Sequence, residues 1–134
     1  MTQLEMIRAN ARLAVETVKA DQNVDLSFDR QGVEWLDSYL KRLSGHLNES
    51  VQAGVVNVMG SYFGECIVHG HGGMWTEKPG SDWVVTVRRR YEVSVNVFGK
   101  VEKQLAGVEG ESVLSLFDIA LLLAEKGTGE SART

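Results

Sequence analysis

"GSYFGECIVHGHGGMW", residues 60–75, decides how this chain folds, because the hydrophobic period changes inside it. Before Gly70 the apolar side chains recur at helical spacing; after Gly72 and Gly73 they alternate. The glycines therefore mark a helix end that turns into a strand. Working backwards, the helix reads from about Glu49 to His69. Val51, Val55, Val58, Met59, Tyr62, Phe63, Cys66 and Ile67 cover about half of its wheel. The other half carries Gly54, Asn57, Gly60, Ser61, Gly64 and Val68, with few charges, which predicts a helix sandwiched in the middle of the domain. Gly60 and Gly64 lie one turn apart and predict the close approach of another backbone. That packing has to offset roughly 1 kcal/mol per glycine relative to alanine.

Two further helices precede this one. Leu4, Ile7, Ala11, Ala14, Val15 and Val18 form a stripe, opposite Arg8, Arg12, Glu16 and Lys19, and Asp21, Gln22 and Asn23 end it. Ser27 or Asp29 then caps a second helix with Val33, Leu36, Leu40, Leu43 and Leu47 on its stripe and Trp35 and Tyr39 beside it. Past the glycines, Met74–Glu77, Trp83–Val87 and Tyr91–Val97 read as strands, the first two joined by the turn Lys78-Pro79-Gly80-Ser81-Asp82. In the third, Val93, Val95 and Val97 share a face opposite Glu92, Ser94 and Asn96, the alternation of an antiparallel sheet covered on one side. Residues 98–105 fit either a helical turn or a continuing strand. A last helix spans about Ser112 to Glu125, with Val113, Leu116, Phe117, Ala120 and Leu123 on one side. The predicted class is α+β: three N-terminal helices packed on a small antiparallel three- to four-stranded meander, with a C-terminal helix. Residues 1–125 make a single domain, and 126–134 a flexible polar tail.

Composition narrows the function. The chain has 134 residues, 43% hydrophobic and 24% charged, which suits one globular domain and opposes disorder. A net charge of −4 provides no general attraction for nucleic acid or anionic lipid. The one cysteine, Cys66, excludes an internal disulfide and fits a reducing, cytoplasmic setting. The start, MTQLEMIRAN, has no secretory pattern, and the most apolar run, Ile119–Ala124, is too short to cross a bilayer.

Three segments, "FDRQGVEWLDSYLKRL", "GSYFGE" and "GGMW", together resemble a bacterial family of small domains of unknown function with the pattern VxWLDxYL, GxYxGE and GGxW. "FGKVEKQL" is similar to the PFxxVxKRL segment that follows the sheet in that family, with Asn-Val in place of its proline neighbourhood. The similarity runs in order over about residues 25–123. It implies a fold and brings no activity, cofactor or catalytic residue. By analogy with other small acidic bacterial domains, it points to an immunity or adaptor role.

The chemistry-bearing residues gather around the same central stretch. Tyr62, Glu65, His69, His71 and Trp75 form the candidate cluster. Glu65 and His69 share a helix face, and His71 or His46 would complete a metal site, since carboxylate and imidazole suit zinc or iron. No HExxH or CxxC motif accompanies them, so the expected role of Glu65 and His69 is a structural pair, with no metal or cofactor. Glu65 reads as a polar strut from helix to sheet, its donors drawn from backbone amides, Tyr62, the Trp75 indole or an arginine. The other reading makes it a general base in a cleft. Cys66, on the apolar half, reads as a buried inert thiol. Arg88, Arg89 and Arg90 are the one basic cluster, a strand turn that offers a docking patch for an acidic protein. No phosphate-binding fingerprint is present. Leu114, Ile119, Leu121 and Leu122 lie outside the main stripe of the last helix and predict a covered face, such as a homodimer. Two readings follow. The favoured one is a non-catalytic protein-interaction module without nucleic-acid or membrane partners. The alternative is a small metal- or ligand-binding enzyme built around Glu65, His69 and His71.

Overall fold

The structure, a computed structural model, describes residues 1–80 and 82–127. Its elements run α1 (Gln3–Gln22), α2 (Arg30–Leu43), α3 (Glu49–His71), β1 (Met74–Lys78), β2 (Asp82–Arg88), β3 (Glu92–Val95), α4 (Val97–Leu105) and α5 (Val113–Lys126). The α+β class holds. The sheet has three antiparallel strands in the order β1-β2-β3, and no fourth among the described residues. The tail expected at 126–134 lies outside the described residues from 128 onward; Lys126 closes α5 and Gly127 caps it. None of the described helices is long and apolar enough to cross a membrane.

Local chemistry sets the helix ends. Thr2 and Glu5 form a reciprocal capping box at the start of α1, and Asn23 ends it in the left-handed region at φ 55°. Of the two candidate caps for α2, Asp29 takes the position: its carboxylate accepts from the Gly32 amide at 3.2 Å and from the Ser27 hydroxyl at 2.7 Å. Residues 98–105 are helical, and the strand expected to reach Val97 stops at Val95. Asn96 explains why, because its side chain accepts from the Gly99 amide at 3.1 Å and opens α4. The alternation survives the change: Val95 and Val97 are buried and Glu92, Ser94 and Asn96 exposed.

Helix α3 is the centre of the molecule, touching all four other helices and strands β1 and β2. Small residues of α1, Ala11 and Ala14, let that helix lie close to it. The inner face of the sheet presents Trp75, Val85, Val87 and Val95 to this core, while Thr76 and Thr86 hydrogen-bond on the outer face at 3.0 Å. The glycine stripe of α3 behaves otherwise than its spacing predicts. No second backbone enters; a side-chain methyl on Gly60 would collide with the Phe98 ring, and one on Gly64 with the Trp75 indole. Two aromatic rings, 6.0 Å apart, fill the space that the glycines leave.

A buried polar network joins α2, α4 and α5. Asp37 accepts from Gln104 at 3.0 Å, Ser112 at 2.8 Å and Lys41 at 2.9 Å, and the Gln104 carbonyl accepts from the Val113 amide at 2.8 Å. Burial alone would raise the Asp37 pKa. The Lys41 ammonium and the Gln104 and Ser112 donors outweigh it and hold the carboxyl below its ordinary range.

Three glycines of one helix should respond to alanine with different signs. Gly54 has nothing within 4 Å, so Gly54→Ala stabilises, by about 1 kcal/mol. Gly60→Ala and Gly64→Ala destabilise despite the same propensity gain, as urea unfolding would read. For Asp37 the folded-state pKa is depressed, so its contribution is complete above the unfolded value of about 3.9 and fades as pH falls through the folded one. Asp37→Asn should therefore cost about 1–3 kcal/mol at neutral pH. In denaturant titrations its deficit against the parent should narrow in acid.

Candidate functional site

The end of α3 and the start of β1 bring the five cluster residues into one region, but their side chains are committed to different neighbours. Tyr62 is fully buried, and its hydroxyl donates to the Ser27 carbonyl at 2.5 Å, fixing the α1–α2 connection to α3. The oxygen occupies the space a methyl on Gly32 would need, which accounts for glycine in the first turn of α2. Burial raises the Tyr62 pKa, and the adjacent Cys66 adds to the effect. Cys66 is buried as expected, and burial pushes its thiol up to about 12. A thiol of that kind stays protonated at neutral pH and is a poor nucleophile.

Glu65 sits at the α3–β1 junction with its side chain 12% exposed. Its Oε2 accepts from the Trp75 indole N–H at 3.1 Å, one of the donors the sequence offered. The other oxygen lies 4.0 Å from His69 Nε2. His69 itself stacks on Phe28, ring centroids 5.3 Å apart, at the surface. His71 points away from both. It is 5% exposed, its Nε2 donates to the Phe117 carbonyl at 2.7 Å, and its ring lies over Phe117 at 4.0 Å. Because a carbonyl only accepts, that bond requires a proton on Nε2, and Nδ1 has no partner among the described residues. His46 is exposed in the α2–α3 connection. Among the described residues no group of three or more His, Cys, Asp or Glu side chains is placed to hold an ion. Helical spacing aligned Glu65 with His69, but the helix rotates His71 to the α5 side.

The arginine run is likewise divided. Arg88 pairs with Glu92, its cross-strand partner. Arg89 donates to the His71 carbonyl at 2.8 Å, satisfying one of the last acceptors of α3. Arg90 lies over the Tyr91 ring at 5.7 Å. The Tyr91 amide in turn donates to the Ala124 carbonyl at 2.8 Å, so the turn is fastened to the final turn of α5. That neighbourhood suits it, since helix C-termini carry partial negative charge.

One open site escapes the sequence reading. A cavity of about 550 Å³ lies between the first half of α1, the middle of α3 and the β1–β2 hairpin. It forms where the sheet steps: Asp82, Trp83 and Val84 pair with β1 alone, because β3 reaches only as far as Val85. Ile7 and Val84 are buried there, and Asn10 and Asn57 face it from the two helices. A signal for it exists in the sequence. Asn10 is three residues after Ile7 and four before Ala14 and, with Gln3 two turns earlier, puts amides at the margin of the apolar stripe.

No protein-family model matches the chain, and no curated protein or solved structure matches it either.

The Glu65–Trp75 contact gives a direct test. Glu65→Gln keeps an acceptor for the indole and should change stability little. Glu65→Leu leaves that N–H unpaired beside the core and should cost about 1–3 kcal/mol in urea unfolding.

Proposed function

We propose that this protein is a non-catalytic protein-interaction module, working in the manner of small bacterial immunity or adaptor proteins and in the cytoplasm. The observation that carries the reading is the outer face of α5, where Ile119 and Leu122 are 47% and 50% exposed one turn apart. Leu114 and Leu121, half-buried, lie farther round the same helix, beyond the exposed Asp118 and Glu125. Exposed apolar side chains of this size, here set among Ser115, Asp118 and Lys126, gain by being covered. The turn bearing Arg88 and Arg90 is fastened to the last turn of the same helix through the Tyr91 amide, and a basic margin supplied from there is part of the proposal. A partner with an apolar centre and acidic margin matches it, and a second copy of this acidic chain is one such partner. The resemblance of "VEWLDSYL", "GSYFGE" and "GGMW" to a small bacterial family belongs to the same proposal.

The use of the cluster side chains also supports this reading. Tyr62, Glu65, His71 and Trp75 are engaged in holding elements together, and the Cys66 thiol is buried and protonated.

The test pairs light scattering with cross-linking and affinity capture from cytoplasmic extract. The wild-type chain should either self-associate or recover a stoichiometric protein partner. Ile119→Glu/Leu122→Glu should abolish that association without lowering the melting temperature, because both residues are exposed. Association that persists in the double variant removes this surface from the assignment. Arg88→Glu/Arg90→Glu should weaken capture mainly at low salt.

A further inference from the structure

The cavity between α1, α3 and the β1–β2 hairpin lies apart from the α5 face, and its lining has a chemistry of its own. Its lining is largely apolar: Ile7 is buried, and Met6, Trp83 and Phe98 stand around it. Trp83 is held in place because its indole N–H donates to Gln3 Oε1 at 2.9 Å. Onto this surface the chain projects planar amides, Asn10 from α1, Asn57 from α3 and Asn96 at the start of α4. Neither Asn10 nor Asn57 has a side-chain hydrogen bond among the described residues, so each offers both a donor and an acceptor. Asn10 is half-buried at the margin of the core stripe of α1, between buried Ile7 and Ala14 and exposed Met6 and Leu13. An amide placed there, with no partner of its own among the described residues, is available to a ligand.

Charge narrows the ligand. Lys78 and Asp82, cross-strand neighbours at the rim, are the charged residues of the lining, and they cancel. One lysine does not hold a polyphosphate, and one aspartate does not hold a divalent cation. What remains is a flat, largely uncharged molecule with an apolar face and amide-like edges. Asparagine side chains read such edges in pairs of hydrogen bonds, and aromatic walls accept such faces. The volume of about 550 Å³ falls in the ordinary range for a small-molecule site.

We propose that this cavity binds a nucleobase or nucleoside, with Asn10 and Asn57 recognising the base edge and Trp83 and Phe98 packing against its face. Pairing of the base with the amides replaces water at Asn10, and the open edge of β2 at Asp82–Val84 supplies further main-chain groups. Lys78 stands at the mouth, where the ribose or a single phosphate would emerge. The site is independent of the α5 surface, and each stands if the other fails.

Isothermal titration of the full chain with adenosine, guanosine, cytidine and uridine tests the assignment, with L-phenylalanine and maltose as competing ligand classes. At least one nucleoside should bind saturably at one site, with a negative heat-capacity change. Asn10→Leu should weaken that binding by about tenfold or more, while its melting temperature holds or rises. Asn57→Leu, at an exposed position, should weaken it likewise without a change in fold. The proposal is overturned if no nucleoside binds to a wild-type chain that melts cooperatively. It is also overturned if binding survives both asparagine variants, or if the amino acid or the sugar binds in place of the nucleosides.

Discussion

The indole of Trp75 rests against Gly64 and gives its N–H to Glu65, and the remaining architecture depends on that junction. Each component alone would be unfavourable. A glycine within a long helix weakens it, a mostly buried carboxylate lacks water, and a buried indole N–H needs an acceptor. Together they bind the central helix to the first strand with one apolar and one polar contact. The aromatic pair continues to Phe98 over Gly60, so the same stripe also sets where α4 lies.

Three further polar contacts repeat the device at other margins of α3 and around it. Tyr62 reaches the Ser27 carbonyl before α2, His71 reaches the Phe117 carbonyl within α5, and Asp37 collects Gln104, Ser112 and Lys41 where α2, α4 and α5 meet. Apolar contact is non-directional, and a small domain of packed helices has several ways to bury the same leucines. Directional bonds in a dry interior exclude the alternatives, since each wrong arrangement would strand a polar group. Arg89 adds a tether between the β2–β3 turn and the last turn of α3. Tyr62, Glu65, His71 and Trp75 each hold a neighbouring element in this way.

The two proposed binding surfaces draw on other residues: the exposed Ile119 and Leu122 of α5 for a protein partner, and Asn10, at the margin of the apolar stripe of α1, for a small planar ligand. They lie on different elements, α5 and α1, so occupation of one leaves the other open.

Periodicity alone determined much of this protein. The period of three to four over Leu4–Val18 and Val33–Leu40, and its change to two after Gly73, set the helices and the strands, because a backbone can bury only the face its geometry repeats. The sequence also offered Trp75 among several donors for Glu65, and the indole is the one that bonds it. Tertiary structure decided the rest. Whether 98–105 continued the sheet depended on Asn96 finding the Gly99 amide. Whether Gly60 and Gly64 received a backbone or rings depended on where β1 and α4 placed Trp75 and Phe98. His71 left the line of Glu65 and His69 because Phe117, far along the chain, supplied its carbonyl. Asp37 and the cavity at Asn10 stayed hidden for the same reason: their surroundings come from residues distant in sequence, and spacing along one element carries no information about what arrives across from it.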